Sequence, residues 1–439
     1  MSFLGQALKI ADRVTILFSM NFIAIIILLT IVLDLLLHVI SDALNLKMIQ
    51  NKVPEAFAGV FDAERYAKSQ DYLKVNTRFG WVSTIFNTFV MLVFWFGGGF
   101  ALLDNWSRSL GRGPVVTGLI YIGVLMLAYG ILAQPFSLYA TFVIEERFGF
   151  NKTTPKTYVT DLAKGFVLAI LLGTPLLAGI LAFFEYTGAI AWLFCWAVVT
   201  LYMLFIQFIA PTWIMPLFNT FSPLEEGELR ERIFAYAQSI KYPLANVFVM
   251  DGSKRSGKSN AFFTGFGQNK RIVLFDTLIE QHTVDELLAV LAHEMGHYKK
   301  KHILQGMLIA VIQTGVMFFL LSFFISFQGL FDAFFLEQTS VYAGLIFFGM
   351  LYSPIDFFLG ILSQMRSRRN EFQADRFSVE TTRNPAAMIG ALKKLAVHNL
   401  SNLVPHPSYV FLNYSHPPVL KRVEAIEDLK SEPQRSEVG

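Results

Sequence analysis

His293-Glu294-Met295-Gly296-His297 sets two imidazoles four residues apart with a carboxylate beside the first. On a helix that spacing puts both rings on one face, one turn apart, where they can share a tetrahedral ion. Glu294 then stands about 100° around from His293, able to reach a water at the metal without ligating it. Chance alone should produce HExxH in only on the order of one percent of chains this long. The apolar run Val290-Leu291-Ala292 just before it argues against a solvated surface helix. The pattern predicts a zinc peptidase site with Glu294 as general base.

Two histidines leave a catalytic zinc one protein ligand short, since such sites normally carry three plus water. The metzincin continuation fails, because its glycine position holds Lys300 and its last histidine position holds Ile303. His302 follows His297 by five residues, which on a continuous helix turns it off the metal face. Glu371, in the helical segment Asn370-Glu371-Phe372-Gln373-Ala374-Asp375, is the better third ligand. Arg366, Arg368 and Arg369 beside it would allow a solvated face, but the incomplete upstream site decides for a ligand. Asp375, one turn on, is placed to orient a ligand histidine. In such a site zinc activates water and polarises the scissile carbonyl, while Glu294 accepts the water proton and returns it to the leaving amine. A structural zinc site would be closed by four ligands rich in Cys, and Cys195 is the chain's one cysteine. That argues against the reading from another functional class, a transporter with a structural zinc.

Gly252-Ser253-Lys254-Arg255-Ser256-Gly257-Lys258-Ser259 satisfies the P-loop pattern. A P-loop needs a helix at its Lys-Ser end to cradle phosphate. Here Ala261–Phe266 and Arg271–Phe275 flank Gly267–Lys270 and read as a β-hairpin. The segment is expected to be a basic, mobile loop beside the cleft, with no nucleotide bound.

These residues must be carried by a membrane protein. Hydrophobic residues make up 54% of the chain and charged residues 16%, with 44 Phe, whereas soluble chains carry about 25% charged residues. A net charge of +3 offers no basic field for nucleic acid. Seven apolar runs approach or exceed the roughly 18–20 residues that cross a bilayer. They lie near Thr15–Leu37, Trp81–Leu103, Val115–Val143, Gly165–Tyr186, Ala189–Ile209, Leu304–Leu330 and Tyr342–Leu362. The first is too long for a signal peptide and lacks a small-residue cleavage site, so it reads as an anchor. Cys195 sits within the fifth as a small hydrophobe.

Lys and Arg concentrate after the first, third, fifth and seventh runs, which places the two large polar regions in the cytoplasm and the N-terminus opposite. The expected division is 1–210 for spans one to five, 211–303 for a cytoplasmic peptidase piece carrying HExxH, 304–362 for spans six and seven, and 363–439 for the C-terminal part of the peptidase. Thr283-Val284-Asp285-Glu286 resembles a capping box and should start the HExxH helix. The residues after Lys430 are expected to fray. Within the spans Asp356 is the best candidate to line a watered cavity. The fold class expected is an α-helical polytopic membrane protein of about seven spans with a zincin-like catalytic domain containing a small β-hairpin or sheet.

With HExxH and the downstream ExxxD, the chain resembles the type I CAAX prenyl protease family. The likeness extends to Glu146–Thr154 after the third span, to Ser259-Asn260-Ala261-Phe262-Phe263, and to Ser415-His416-Pro417-Pro418 with Arg422. Arg147 stands where a histidine is expected in that family. The resemblance implies one zinc at His293, His297 and Glu371, Glu294 as base, substrate contacts at Asn260 and Ala261, and catalytic support from His416. His416 or Arg422 could then stabilise the oxyanion. It also implies a large intramembrane chamber and cleavage of prenylated peptides after the modified Cys, in a bacterial inner membrane or endoplasmic reticulum. A quality-control membrane peptidase has the same chemistry, but its relatives have fewer spans.

Overall fold

The computed structural model describes residues 21–50, 52–264 and 270–436. Five long apolar helices come first: α1 (Phe22–Lys47), α2 (Ala63–Phe96), α3 (Pro114–Glu145), α4 (Pro155–Tyr186) and α5 (Gly188–Leu217). A soluble stretch follows, with β1 (Phe221–Pro223), α6 (Glu228–Ser239), β2 (Leu244–Met250), β3 (Ala261–Thr264), β4 (Lys270–Phe275), α7 (Asp276–Gln281) and α8 (Val284–Lys299). Two more apolar helices are α9 (His302–Phe324) and α10 (Val341–Thr382), and α11 (Pro385–His398) and α12 (Val419–Ser436) close the chain.

Among the described residues seven helices are long and apolar enough to cross a membrane, the number expected. Residues 15–20 of the first expected span lie outside the described residues. The second span ends at Phe96, earlier than expected, because three glycines break the helix. Gly98 is left-handed at φ 75°, and a Cβ on Gly97 would meet the Val93 carbonyl oxygen at 2.6 Å. A separate short helix, Gly99–Ser109, then turns away. The sixth span stops at Phe324, short of Leu330, because the chain leaves the helix before a second short helix, Gln328–Asp332. Of the tail expected to fray, residues 431–436 continue α12 to Ser436, and residues 437–439 lie outside the described residues.

The buried core of the membrane part gathers at the end away from the HExxH helix. There Trp95 stacks on Phe334 at 4.8 Å and Phe334 on Phe347 at 3.8 Å, with Phe100, Tyr121 and Phe331 packed around them. Elsewhere the spans are little buried, between 6% and 22% of each apolar window. Few side chains of these windows are therefore buried against other spans. Asp356, expected to line a watered cavity, is exposed in mid-span on α10.

The sheet runs β1-β2-β4-β3, with β2 and β4 parallel and the outer pairs antiparallel. β3 and β4 pair as the expected hairpin would, although its tip, residues 265–269, lies outside the described residues. β3 is an edge strand. Ile233 and Tyr236 from α6, Val247, Ile272 and Leu274 from the sheet, and Leu287, Leu291 and Met295 from α8 form one core. α10 is 42 residues long, about 63 Å at 1.5 Å per residue, roughly twice a bilayer's hydrocarbon thickness. Its polar C-terminal half projects beyond the span and packs against α8, which joins the two soluble pieces into one unit.

Candidate metal centre

α8 begins where its sequence dictates. The Thr283 hydroxyl accepts from the Glu286 amide and the Glu286 carboxylate accepts from the Thr283 amide, a complete capping box. Lys394 of α11 adds an ion pair to Glu286 at 2.7 Å, so the same carboxylate that starts the helix also holds the C-terminal region. Burial raises the Glu286 pKa, but the Lys394 ammonium and the Thr283 amide outweigh it and hold the group below the ordinary range.

One turn from its end α8 meets α10. His293 and His297 bring their Nε2 atoms to 3.1 Å, and the Glu371 carboxylate lies 3.5 Å from the first and 3.3 Å from the second. Among the described residues this is the one group of three His, Cys, Asp or Glu side chains whose ligand atoms converge, all within 4.8 Å. Glu371 is 4% exposed, yet its Oε2 makes no hydrogen bond. Its neighbours, Arg422 Nη1 at 3.4 Å and His293 Nε2 at 3.5 Å, stand off at ion-pair distance, so this buried carboxylate oxygen keeps capacity for a cation. His293 Nδ1 lies 2.8 Å from Asp375, which fixes the tautomer that leaves Nε2 bare. The residues therefore fit a metal ion with two nitrogen ligands and one oxygen ligand, and leave a position open for a water or substrate.

Arg422, buried at 8% exposure, clamps Asp375 through Nε at 2.7 Å and Nη2 at 2.6 Å, and its Nη1 stands 3.4 Å from Glu371. Its guanidinium is thus committed to the carboxylates behind the site. His416 is different: 64% of its side chain is exposed, its Nδ1 pairs with the Ser415 hydroxyl, and its Nε2 reaches within 3.5 Å of Glu371. Arg368 donates to the carbonyls of Val410 and Tyr414 and so holds the segment that carries His416. Glu294 is half-buried, and burial lifts its pKa above the ordinary carboxylate range against the pull of His293 and His297.

Asn260 is exposed at the head of β3, its side-chain oxygen accepting from the Ala261 amide. Ser259 just before it is gripped twice by Asn399, whose Oδ1 accepts from the Ser259 amide and whose Nδ2 donates to its carbonyl. β3 packs beside α8, the helix that carries His293 and His297.

The P-loop-like segment is pinned rather than mobile. Lys258 Nζ pairs with Glu145 at 3.0 Å and the Tyr72 hydroxyl at 2.8 Å, over the Phe150 ring. Arg255 forks onto Asp161, and Gly257 donates to the Phe150 carbonyl. The charges that suggested mobility are spent on the ends of α3 and α4. A strand, not a helix, follows Ser259, so the loop does not run into a helix at its Lys-Ser end as a P-loop does.

Residues 42–220 match the family model described as CAAX prenyl protease N-terminal, five membrane helices, and residues 223–430 match Peptidase family M48. A CAAX prenyl protease 1 homolog of Arabidopsis thaliana is 37% identical over 394 residues, 87% of this chain and 92% of the relative. CAAX prenyl protease 1 of Saccharomyces cerevisiae is 32% identical over 412 residues, 87% of this chain and 90% of the relative. The crystal structure of S. mikatae Ste24p superposes with a TM-score of 0.88 at 30% identity, covering 93% of this chain and 99% of that one.

Proposed function

Because the chain belongs to the type I CAAX prenyl protease family of M48 peptidases, and its three ligand side chains converge beside an edge strand, we propose a zinc-dependent membrane endopeptidase that cleaves prenylated CaaX C-termini. His293, His297 and Glu371 hold the zinc. What carries this reading is the convergence of two imidazole nitrogens on one buried carboxylate, His293 Nε2 3.5 Å from Glu371 Oε2 and His297 Nε2 3.3 Å from its Oε1.

Bound zinc supplies Lewis acidity toward a water and a peptide carbonyl. Glu294 takes the proton of the attacking water on its carboxylate and returns it to the leaving amine. His416, exposed and donor-ready, stabilises the oxygen charge of the tetrahedral species. Arg422 acts behind the site, fixing Asp375 and thereby the His293 ring. The substrate backbone adds to the β3 edge near Asn260 and Ala261, where main-chain hydrogen bonds hold it extended whatever its side chains. The prenyl chain lies against the apolar walls of the spans.

The peptidase domain is read as residues 211–303 and 363–439 together, and the spans as 1–210 and 304–362. The Lys and Arg distribution supports a cytoplasmic metal centre, in the endoplasmic reticulum membrane or its bacterial counterpart.

Purified protein incubated with a farnesylated CaaX peptide should release the three residues after the modified cysteine, read by mass spectrometry. Glu294→Gln should release them about 10²–10⁴-fold more slowly. Cleavage elsewhere in the peptide, or undiminished cleavage by Glu294→Gln, would overturn the assignment.

A further inference from the structure

His302 was expected to turn away from the metal, because five residues along an unbroken helix carry it to the wrong side. The helix is broken. Lys301 takes a left-handed conformation at φ 60°, α8 ends, and α9 starts at His302 with its ring folded back beneath His297. His302 is 6% exposed. Its Nδ1 lies 3.0 Å from His297 Nδ1, and its Nε2 lies 3.0 Å from Oε1 of Gln373 on α10.

Two Nδ1 atoms at that distance need one proton between them, and metal binding decides which ring holds it. When His297 Nε2 faces the ion it is bare, so a neutral His297 carries its proton on Nδ1 and donates to His302. His302 Nδ1 must then be bare, its own proton sits on Nε2, and that N–H donates to the Gln373 carbonyl oxygen. Every proton in the chain has one place. We infer that His302, oriented by Gln373, is a positioning residue that holds His297 in its metal-binding tautomer and ring orientation.

The two ligand histidines are thus supported differently. His293 leans on a carboxylate, Asp375, whose charge is balanced by Arg422. His297 leans on a neutral imidazole. His302 is also the first residue of a membrane span and Gln373 belongs to the helix that carries Glu371, so the setting of His297 depends on how α9 and α10 sit against each other. Partners that orient a ligand histidine in this way typically contribute 10–100-fold to metal affinity.

The inference rests on the metal reading above, and the test separates the two. Zinc affinity of the full-length protein is measured by chelator competition, and the visible spectrum of the cobalt-substituted protein reports ligand geometry. His302→Leu, which removes the acceptor, should weaken zinc binding about 10–100-fold and alter the cobalt spectrum. His302→Gln, which restores a carbonyl acceptor, should recover most of both, and Gln373→Leu should give a smaller loss of the same kind. Wild-type affinity and spectrum in His302→Leu, with metal still lost in His297→Ala, would overturn the role of His302 alone. An equal loss in the Leu and Gln variants would likewise overturn it, since a packing role does not need an acceptor. Metal retained in His297→Ala would instead remove the metal reading on which the inference stands.

Discussion

Gly296 lies against the backbone of Ala374: a Cβ on Gly296 would stand 3.3 Å from the Ala374 Cα and 3.1 Å from the Phe377 ring. Those distances let α8 and α10 approach closely enough for Glu371 to reach both histidines. The neighbour on one side is backbone, which cannot swing aside. Gly296→Val should therefore separate the helices and weaken zinc binding by at least about tenfold, a small-to-large cost of about 1–3 kcal/mol taken at the site itself. Zinc content after dialysis against a chelator checks this, and full occupancy would show that the two helices can shift without consequence.

His293→Ala, His297→Ala and Glu371→Ala should each lose the metal, whereas Glu294→Gln should keep one zinc per chain and lose about 10²–10⁴-fold in kcat. Elemental analysis of the purified variants separates ligand from base. Full zinc in Glu371→Ala would remove the third ligand.

These roles differ in how far the sequence shows them. HExxH and Glu371 are legible because a metal site demands fixed residue types at helical spacing, and the capping box is legible because its partners are three residues apart. The role of His302 is not, since it depends on one left-handed residue, Lys301, that ends the helix. Nor is the grip of Asn399 on Ser259, 140 residues apart, or that of Lys258 on Glu145, because nothing local pairs such partners. The seven spans are legible from hydropathy. Their ends are set by Gly97–Gly99 and by tertiary packing, and so fall short of the apolar runs.

Glu286 links stability to pH. Its pKa is lower in the folded protein than the unfolded value of 4.5, so its contribution is present above about 4.5 and is lost as pH falls through the folded value. Glu286→Ala should lower Tm at pH 7, removing the cap and the Lys394 pair at a cost of about 1–2 kcal/mol. The difference from wild type should narrow below about pH 4.5. A gap that stays constant down to pH 3 would mean that the ion pair contributes nothing.

Lys258→Ala should lower Tm through the loss of its contacts with Glu145 and Tyr72, and ATP should change neither Tm nor peptidase rate. A micromolar ATP affinity abolished by Lys258→Ala would show that the loop is a nucleotide site.

A metal centre serving a lipid-anchored substrate should discriminate in kcat/KM between matched farnesylated and unmodified CaaX peptides. Removing the lipid should raise KM at least about tenfold, which corresponds to burying as few as two CH₂ groups at about 0.8 kcal/mol each. Asn260→Ala should lower kcat/KM for both peptides alike, with zinc in place. Equal efficiency toward the two peptides would contradict the claim and favour a quality-control peptidase that reads backbone alone.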